Sequence, residues 1–204
     1  IKTWPSEYGC KANSMAIQVM GGAGYVNEHP VEMFYRDNRL NPIHEGTTGI
    51  QSIDLLGRKV QIKAGAGYKA VLSEIDSSIK AAKGSERLND FAFQLEQACE
   101  QLTTTTELLS AAMVERNIDL ALSNSVKYLD MFGNIVIAWT WLKLGCVAEA
   151  GLANATHDQD RDFYKGKLQA LQYFYRFELP EIYAWAALLS DLDDTCYTMQ
   201  KEWF

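Results

Sequence analysis

Three histidines, at positions 29, 44 and 157, are all this 204-residue chain has, and they suggest no cluster with carboxylates that would hold a metal ion. Cysteine is as thinly spread. Cys10, Cys99, Cys146 and Cys196 form no CxxC pair and no disulfide framework, and they read as free, mostly buried thiols in a reducing compartment. Basic runs are missing too. With a formal charge of −7 and a pI near 5.0, the chain offers no positive surface to nucleic acid or to an anionic membrane. The most apolar window, Ile135 to Ala148, is about fourteen residues long and carries Lys143. That falls short of the ~20 apolar residues that cross a bilayer, so it reads as a buried core helix with no membrane span. No long alternating pattern indicates strands, although VNEHPVEMF at 26 to 34 is able to form a short extended turn around Pro30. The opening IKTWPSEYG has no Met, no apolar h-region and no Arg-rich amphipathic pattern, which predicts a piece of a longer polypeptide rather than a leader.

What the chain does have is helical periodicity around a 48% hydrophobic composition, enough for a packed core. Ile50, Ile53, Leu55, Leu56, Val60 and Ile62 follow spacings of three and four. The AGAG at 64 to 67 is too rich in glycine for a good helix interior and is the candidate interdomain joint. Beyond it the pattern predicts helices over 68–83, 87–115, 117–154, 160–177 and 182–199, with a bend or an exposed face at the threonine run 103–106. Long helices joined by short loops predict an all-α chain built as antiparallel helical bundles, with a first domain at 1–63 and a second at 68–204.

The first fifty residues differ, because their polar groups are not confined to one helical face. AIQVMGGAGY at 16 to 25 is a helix ending in Gly21 and Gly22, where a phosphate-bearing cofactor is able to approach the main chain; a plain glycine turn explains it equally. It is not a dinucleotide fingerprint, since no strand precedes it and Asn27 stands where the third glycine belongs. YRD at 35 to 37 fits a structural ion pair or cap. IHEGTTGIQ at 43 to 51 sets Glu45 ahead of Thr47 and Thr48, either of which is able to cap a helix starting near Ile50. Glu45 is then a helix-end charge, a ligand or a proton-transferring base. A zinc-protease reading fails, because Thr48 stands where a second histidine is required.

Taken together, the stretch AIQVMGGAGYVNEHPVEMFYRDNRLNPIHEGTTGIQSIDLLGRK resembles the closing helices of the flavin-dependent acyl-CoA dehydrogenase family. It carries a Q-x-x-G-G-x-G-Y turn, P-V-E, R-D and E-G-T in that order, with Gln18 twenty-seven residues before Glu45. The resemblance covers about residues 1 to 60. DFYKGKLQALQYFYRFELP and LLSDLDDTCYTMQ are similar to the extra C-terminal helical domain of the larger bacterial members.

The resemblance implies that Glu45 is the base that takes the α-proton of an acyl-CoA while a hydride leaves the β-carbon for FAD, giving a trans-2-enoyl-CoA. That chemistry demands a carboxylate whose pKa an apolar pocket can raise. It implies that the Glu45 N–H binds the thioester oxygen and that Gly46 lets the substrate lie against the backbone. Gln18, Gly21 and Gly22 would touch the adenosine and pyrophosphate of an FAD held mainly by a neighbouring subunit, and Thr47 would contact FAD as well. Arg36 and Asp37 would order the loop. The chain departs from the family pattern at Gly49 and His44, where glutamine and tyrosine are common, which removes a side-chain flavin contact and the usual pocket wall. The implied partners are an acyl-CoA, an electron-transfer flavoprotein as acceptor and copies of the same chain, in a bacterial cytoplasm. No middle β-domain or N-terminal helices are encoded here, so these 204 residues alone are expected to be inactive. The competing expectation is a non-catalytic helical association module.

Overall fold

The computed structural model describes residues 2–115 and 117–203, and every regular element among them is helical. The chain forms two compact units, one ending at Asp54 and one beginning at Leu55.

In the first unit, helix α1 (Thr3–Met20) leads through the single turn α2 (Gly22–Tyr25) to α3 (Val31–Asn38), and α4 (Thr48–Asp54) closes the unit. Helix α3 runs back along α1. Asn13 Nδ2 donates to the Phe34 carbonyl at 3.1 Å, and Cys10 Sγ lies 3.6 Å from the Asn38 carbonyl. Gly9 makes this approach possible, since a Cβ there would stand 2.6 Å from Asn38 Nδ2. The segment 26–34 is not one extended turn: Val26 is extended, but Pro30 has φ −72° and heads α3. Its ring fixes φ near the helical value and its missing N–H costs nothing at a helix start.

The interior of this unit is small and partly polar, made of Thr3, Ser6, Cys10, Gly24, Pro42 and Ser52. Its large apolar side chains face outward, with Val19 87%, Tyr25 82%, Leu40 61% and Ile50 60% exposed.

The second unit is built around α8 (Ser125–Asn154), which packs against α5 (Ile62–Ala82), α6 (Asn89–Val114), α9 (Asp158–Tyr173) and α10 (Glu181–Ser190). Tyr128, Met131, Ile135, Ala138 and Leu142 of α8 are fully buried, as are Leu95 and Leu102 of α6, Ile75 of α5 and Leu171 of α9. Two glycines on α8 let α9 come close. A Cβ at Gly145 would stand 2.5 Å from Leu171 Cδ1, and one at Gly151 2.3 Å from the Tyr164 ring. Among the described residues α8 is the one helix long and apolar enough to cross a bilayer, which corrects the expectation that no segment reaches that length. Its buried stripe packs against α5, α6, α9 and α10, while Leu144 and Val147 on its other side stay 42% and 64% exposed.

Several boundaries differ from the periodicity. The expected helix over 117–154 is two, α7 (Ile118–Ser123) and α8, divided at Asn124, whose side chain donates to the Asp193 carbonyl at 2.7 Å. The last helix stops at Ser190 rather than near Met199. Leu192 takes φ +48°, and Asp193 accepts from the N–H and hydroxyl of Thr195, a local turn that competes with helix. The segments Leu55–Lys59 and Phe174–Glu178 are π-helical. The glycine-rich stretch contains a left-handed turn, with φ of 52°, 54° and 74° at Lys63, Ala64 and Gly65, inside the second unit.

The threonine run neither breaks α6 nor forms one exposed face. Thr105 and Thr106 are buried, and Thr103, Thr104 and Thr106 each donate to the carbonyl four residues back, at 2.9, 3.1 and 2.7 Å. Thr106 spends its one hydrogen on Leu102, so the 2.8 Å contact with Tyr128 has the tyrosine as donor.

Of the cysteines, Cys10 is buried, Cys99 and Cys146 are half-buried, and Cys196 is exposed. Burial pushes the Cys99 thiol up to about 12, helped by the charges of Asp76, Glu100 and Glu96. Burial also pushes the Tyr128 and Tyr175 hydroxyls well above their ordinary value. All three hold their protons more tightly folded than unfolded. Their contribution to stability is therefore complete below the unfolded values of 9.0 and 10.0 and is lost as pH rises beyond them. Thermal melts followed by circular dichroism are expected to hold level up to pH 9.0 and then to drop steadily towards about 12. A melting temperature unchanged through that window would count against neutral, desolvated Cys99, Tyr128 and Tyr175 side chains.

Candidate active site

Glu45 sits on the turn between α3 and α4, with its side chain exposed. Its backbone is left-handed at φ 56°, and Gly46 follows at φ 88°. For a residue with a Cβ that conformation costs roughly 1–3 kcal/mol and persists only where the surroundings enforce it. They do. Lys2 Nζ donates to the Gly46 carbonyl at 2.6 Å and to the Pro42 carbonyl at 3.1 Å, and Gln51 Nε2 donates to the Glu45 carbonyl at 2.7 Å. The Thr48 hydroxyl donates to the Glu7 carboxylate, tying the start of α4 to α1. Among the described residues no backbone carbonyl accepts from the Glu45 N–H, which lies on an exposed turn.

The two threonines divide their roles. The Thr47 carbonyl accepts the Gln51 N–H at 3.0 Å and so opens α4, while the Thr48 hydroxyl is spent on Glu7 rather than on a cap. Gly46 is fixed by its backbone, and a Cβ there would also crowd Gln51 Nε2 at 3.2 Å. His44 is exposed, and its Nδ1 lies 3.2 Å from the Leu40 carbonyl. That partner only accepts, so Nδ1 carries the proton. Arg36 and Asp37 are exposed on α3, and the ties that hold the Glu45 turn come from Lys2, Gln51 and Glu7.

The cofactor-contact residues suggested by the sequence fall in two places. Thr47 stands beside Glu45, near the N-terminal end of α1. Gln18, Gly21 and Gly22 stand at the other end of that 18-residue helix, roughly 20–30 Å away at ~1.5 Å per residue. There the Gln18 carbonyl accepts the Gly21 N–H at 3.2 Å, and Gly21 takes φ 58°, ψ −139°, a glycine conformation. A Cβ built on Gly21 or Gly22 meets nothing within 4 Å, and Gln18 is exposed beside them. This side-chain-poor surface fits an edge of a nucleotide cofactor such as FAD and encloses none of it.

The glycine that packing requires is Gly24. A Cβ there would stand 2.7 Å from the Ile17 carbonyl oxygen and 2.9 Å from Ile17 Cα, both rigid backbone. Gly24→Ala is expected to destabilise by about 1–3 kcal/mol through overpacking, whereas Gly22→Ala, with open space, changes stability by less than ~0.5 kcal/mol. Denaturant unfolding of the two variants decides this, and equal losses would refute the packing assignment.

Sequence reasoning missed Lys2, Glu7 and Gln51. Thr48-Gly49-Ile50-Gln51 has the spacing of a capping box, a signal that Gln51 folds back over the turn before its helix. Nothing local signals Lys2, which lies forty-four positions from Gly46.

The chain is all-α and presents Glu45, exposed, on a left-handed turn beside Gly46 and the start of α4. Residues 1–60 match the family model described as acyl-CoA dehydrogenase, C-terminal domain, and residues 71–200 the one described as acetyl-CoA dehydrogenase C-terminal like. The chain belongs to the acyl-CoA dehydrogenase family. It is 31% identical to 3-methylmercaptopropionyl-CoA dehydrogenase of Ruegeria pomeroyi over 97% of this chain and 33% of the relative. It is 27% identical to the broad-specificity linear acyl-CoA dehydrogenase FadE5 of Mycobacterium tuberculosis over 93% of this chain and 32% of the relative. The short-chain specific acyl-CoA dehydrogenase of rat mitochondria matches at 46% identity, but over 26% of this chain and 13% of its own length. The chain thus spans about a third of the curated relatives that it matches along most of its length.

Proposed function

We propose that the chain is the C-terminal part of an FAD-dependent acyl-CoA dehydrogenase, with Glu45 as the base that removes the α-proton. The observation that carries this reading is the enforced left-handed turn at Glu45. A strained residue on a turn held by four side-chain hydrogen bonds, one of them to its own carbonyl, is an arrangement that aims one group. The Glu45 carboxylate takes the α-proton, the α-carbon's electron pair forms the new carbon–carbon double bond, and the β-carbon gives up hydride. Bound FAD would supply the acceptor for that hydride. In this reading the Glu45 N–H would stabilise the charge that builds on the thioester oxygen, and Gly46 would keep side-chain bulk away from the acyl chain.

Thr47 would contact FAD near the base. Gln18, Gly21 and Gly22, far along α1, would touch the adenosine and pyrophosphate of an FAD held by another subunit. The outward apolar side chains of the first unit support burial against other protein, either the parent's remaining segments or further copies of the chain. A homo-oligomeric parent, an electron-transfer flavoprotein as electron acceptor and a bacterial cytoplasmic location complete the proposal. The boundaries 1–63 for the first domain and 68–204 for the helical extension belong to it too. Most of the acyl pocket and the flavin site lie in segments outside this chain, so the 204 residues alone are expected to turn over no substrate. Oxidation of acyl-CoA by the full-length parent, before and after Glu45→Gln, tests the assignment.

A further inference from the structure

We propose that Lys2 is the positioning residue of the Glu45 turn, an inference that rests on the reading of Glu45 as the base. Lys2 precedes α1, and its ammonium group donates to the carbonyls of Pro42 and Gly46, which bracket the residues that turn the chain at Glu45. A single cation that binds both ends of a turn fixes its width. Gln51, holding the Glu45 carbonyl from the other side, fixes its rotation. With both in place, the left-handed φ of Glu45 is set by three hydrogen bonds, to the carbonyls of Pro42, Glu45 and Gly46, rather than by the intrinsic preference of a glutamate.

Lysine suits the task for a geometric reason. Its ammonium carries three hydrogens on one atom, so two carbonyls that converge on a point are both served. Methionine has the same stem length and no donor. Losing both bonds leaves the turn free to relax to a right-handed or extended backbone, which swings the Glu45 carboxylate away from its aim. A displacement of about 1 Å at a reacting group is enough to cost on the order of a hundredfold in rate.

The test uses the full-length parent with FAD bound, and reads oxidation of an acyl-CoA together with exchange of its α-hydrogen for deuterium in heavy water. Exchange reports on the base alone. Lys2→Met is expected to lower kcat and the exchange rate by roughly 10- to 100-fold, with KM and flavin content unchanged. Lys2→Arg, which keeps donors at that place, is expected to restore most of both. Glu45→Gln run alongside separates the two claims. If it leaves exchange intact, the reading of Glu45 as the base fails. If it abolishes exchange while Lys2→Met exchanges at the parent rate, the role given to Lys2 alone is overturned. A Lys2→Met enzyme that loses flavin and melts early would also overturn it, since Lys2 would then serve the fold at large.

Discussion

Glu45→Gln in the full-length parent is expected to lower acyl-CoA oxidation by at least the 10²- to 10⁴-fold that a positioned general base supplies, while FAD stays bound. The amide keeps the size and shape of the side chain but is not able to take a proton. The turn does not depend on the carboxylate, because its ties run through the Pro42, Glu45 and Gly46 carbonyls and through Thr48. The backbone N–H is equally untouched, so substrate binding should persist and the loss should fall on kcat rather than KM. The other glutamate at this turn, Glu7, already accepts the Thr48 hydroxyl, which makes it a poor substitute for the base. Steady-state oxidation with an artificial electron acceptor, alongside the flavin spectrum of the purified variant, checks both halves. Turnover within tenfold of the parent would remove Glu45 from the base role.

What the sequence made legible was set by local rules. Spacings of three and four located the helices of the second unit, because each buries one stripe against its neighbours, and Ile75, Leu95, Leu102 and Ile135 are buried as such stripes require. The order of short motifs pointed to Glu45. What stayed hidden depends on partners distant in sequence or on backbone angles. Lys2 reaches a turn forty-four residues away, and periodicity carries no information on such a contact. The positive φ of Glu45 was not foreseeable from residue type, since glutamate does not favour it and only the surrounding bonds enforce it. Of the glycines in GGAG, Gly21 and Gly22 drew notice, yet Gly24 is the one packed against Ile17. The threonine run stays inside the helix that the spacing over 87–115 predicts, but Thr105 and Thr106 are buried where an exposed face was one expectation, and Thr103, Thr104 and Thr106 direct their hydroxyls to carbonyls four residues back. The end of α10 was misplaced because the apolar pattern continues past Ser190, while the aspartates that follow make local turns.

Tyr175→Ala is expected to be among the most destabilising single changes in the second unit, at about 3–5 kcal/mol. Tyr175 is 1% exposed, its ring meets Phe91 edge-on at 5.1 Å, and its hydroxyl donates to the Ala138 carbonyl of α8 at 2.9 Å. The side chain therefore joins the π-helical segment after α9 to both α6 and α8, and truncation leaves a cavity where three elements meet. Tyr175→Phe isolates the polar part. It keeps the ring contact and loses one hydrogen bond, for which about 1 kcal/mol is expected. At roughly 2–4 °C per kcal/mol for a chain of this size, the alanine variant should melt some 6–20 °C below the parent and the phenylalanine variant only a few degrees below. The ratio matters more than either value. A phenylalanine variant as unstable as the alanine one would make the hydroxyl the dominant contact, and packing would no longer explain why a bulky aromatic stands there. If the second unit is one cooperative core around α8, the whole helical signal of that unit should shift together in the alanine variant. A split into two transitions would mean that α9 and α10 come away from α8 before α5 and α6 do.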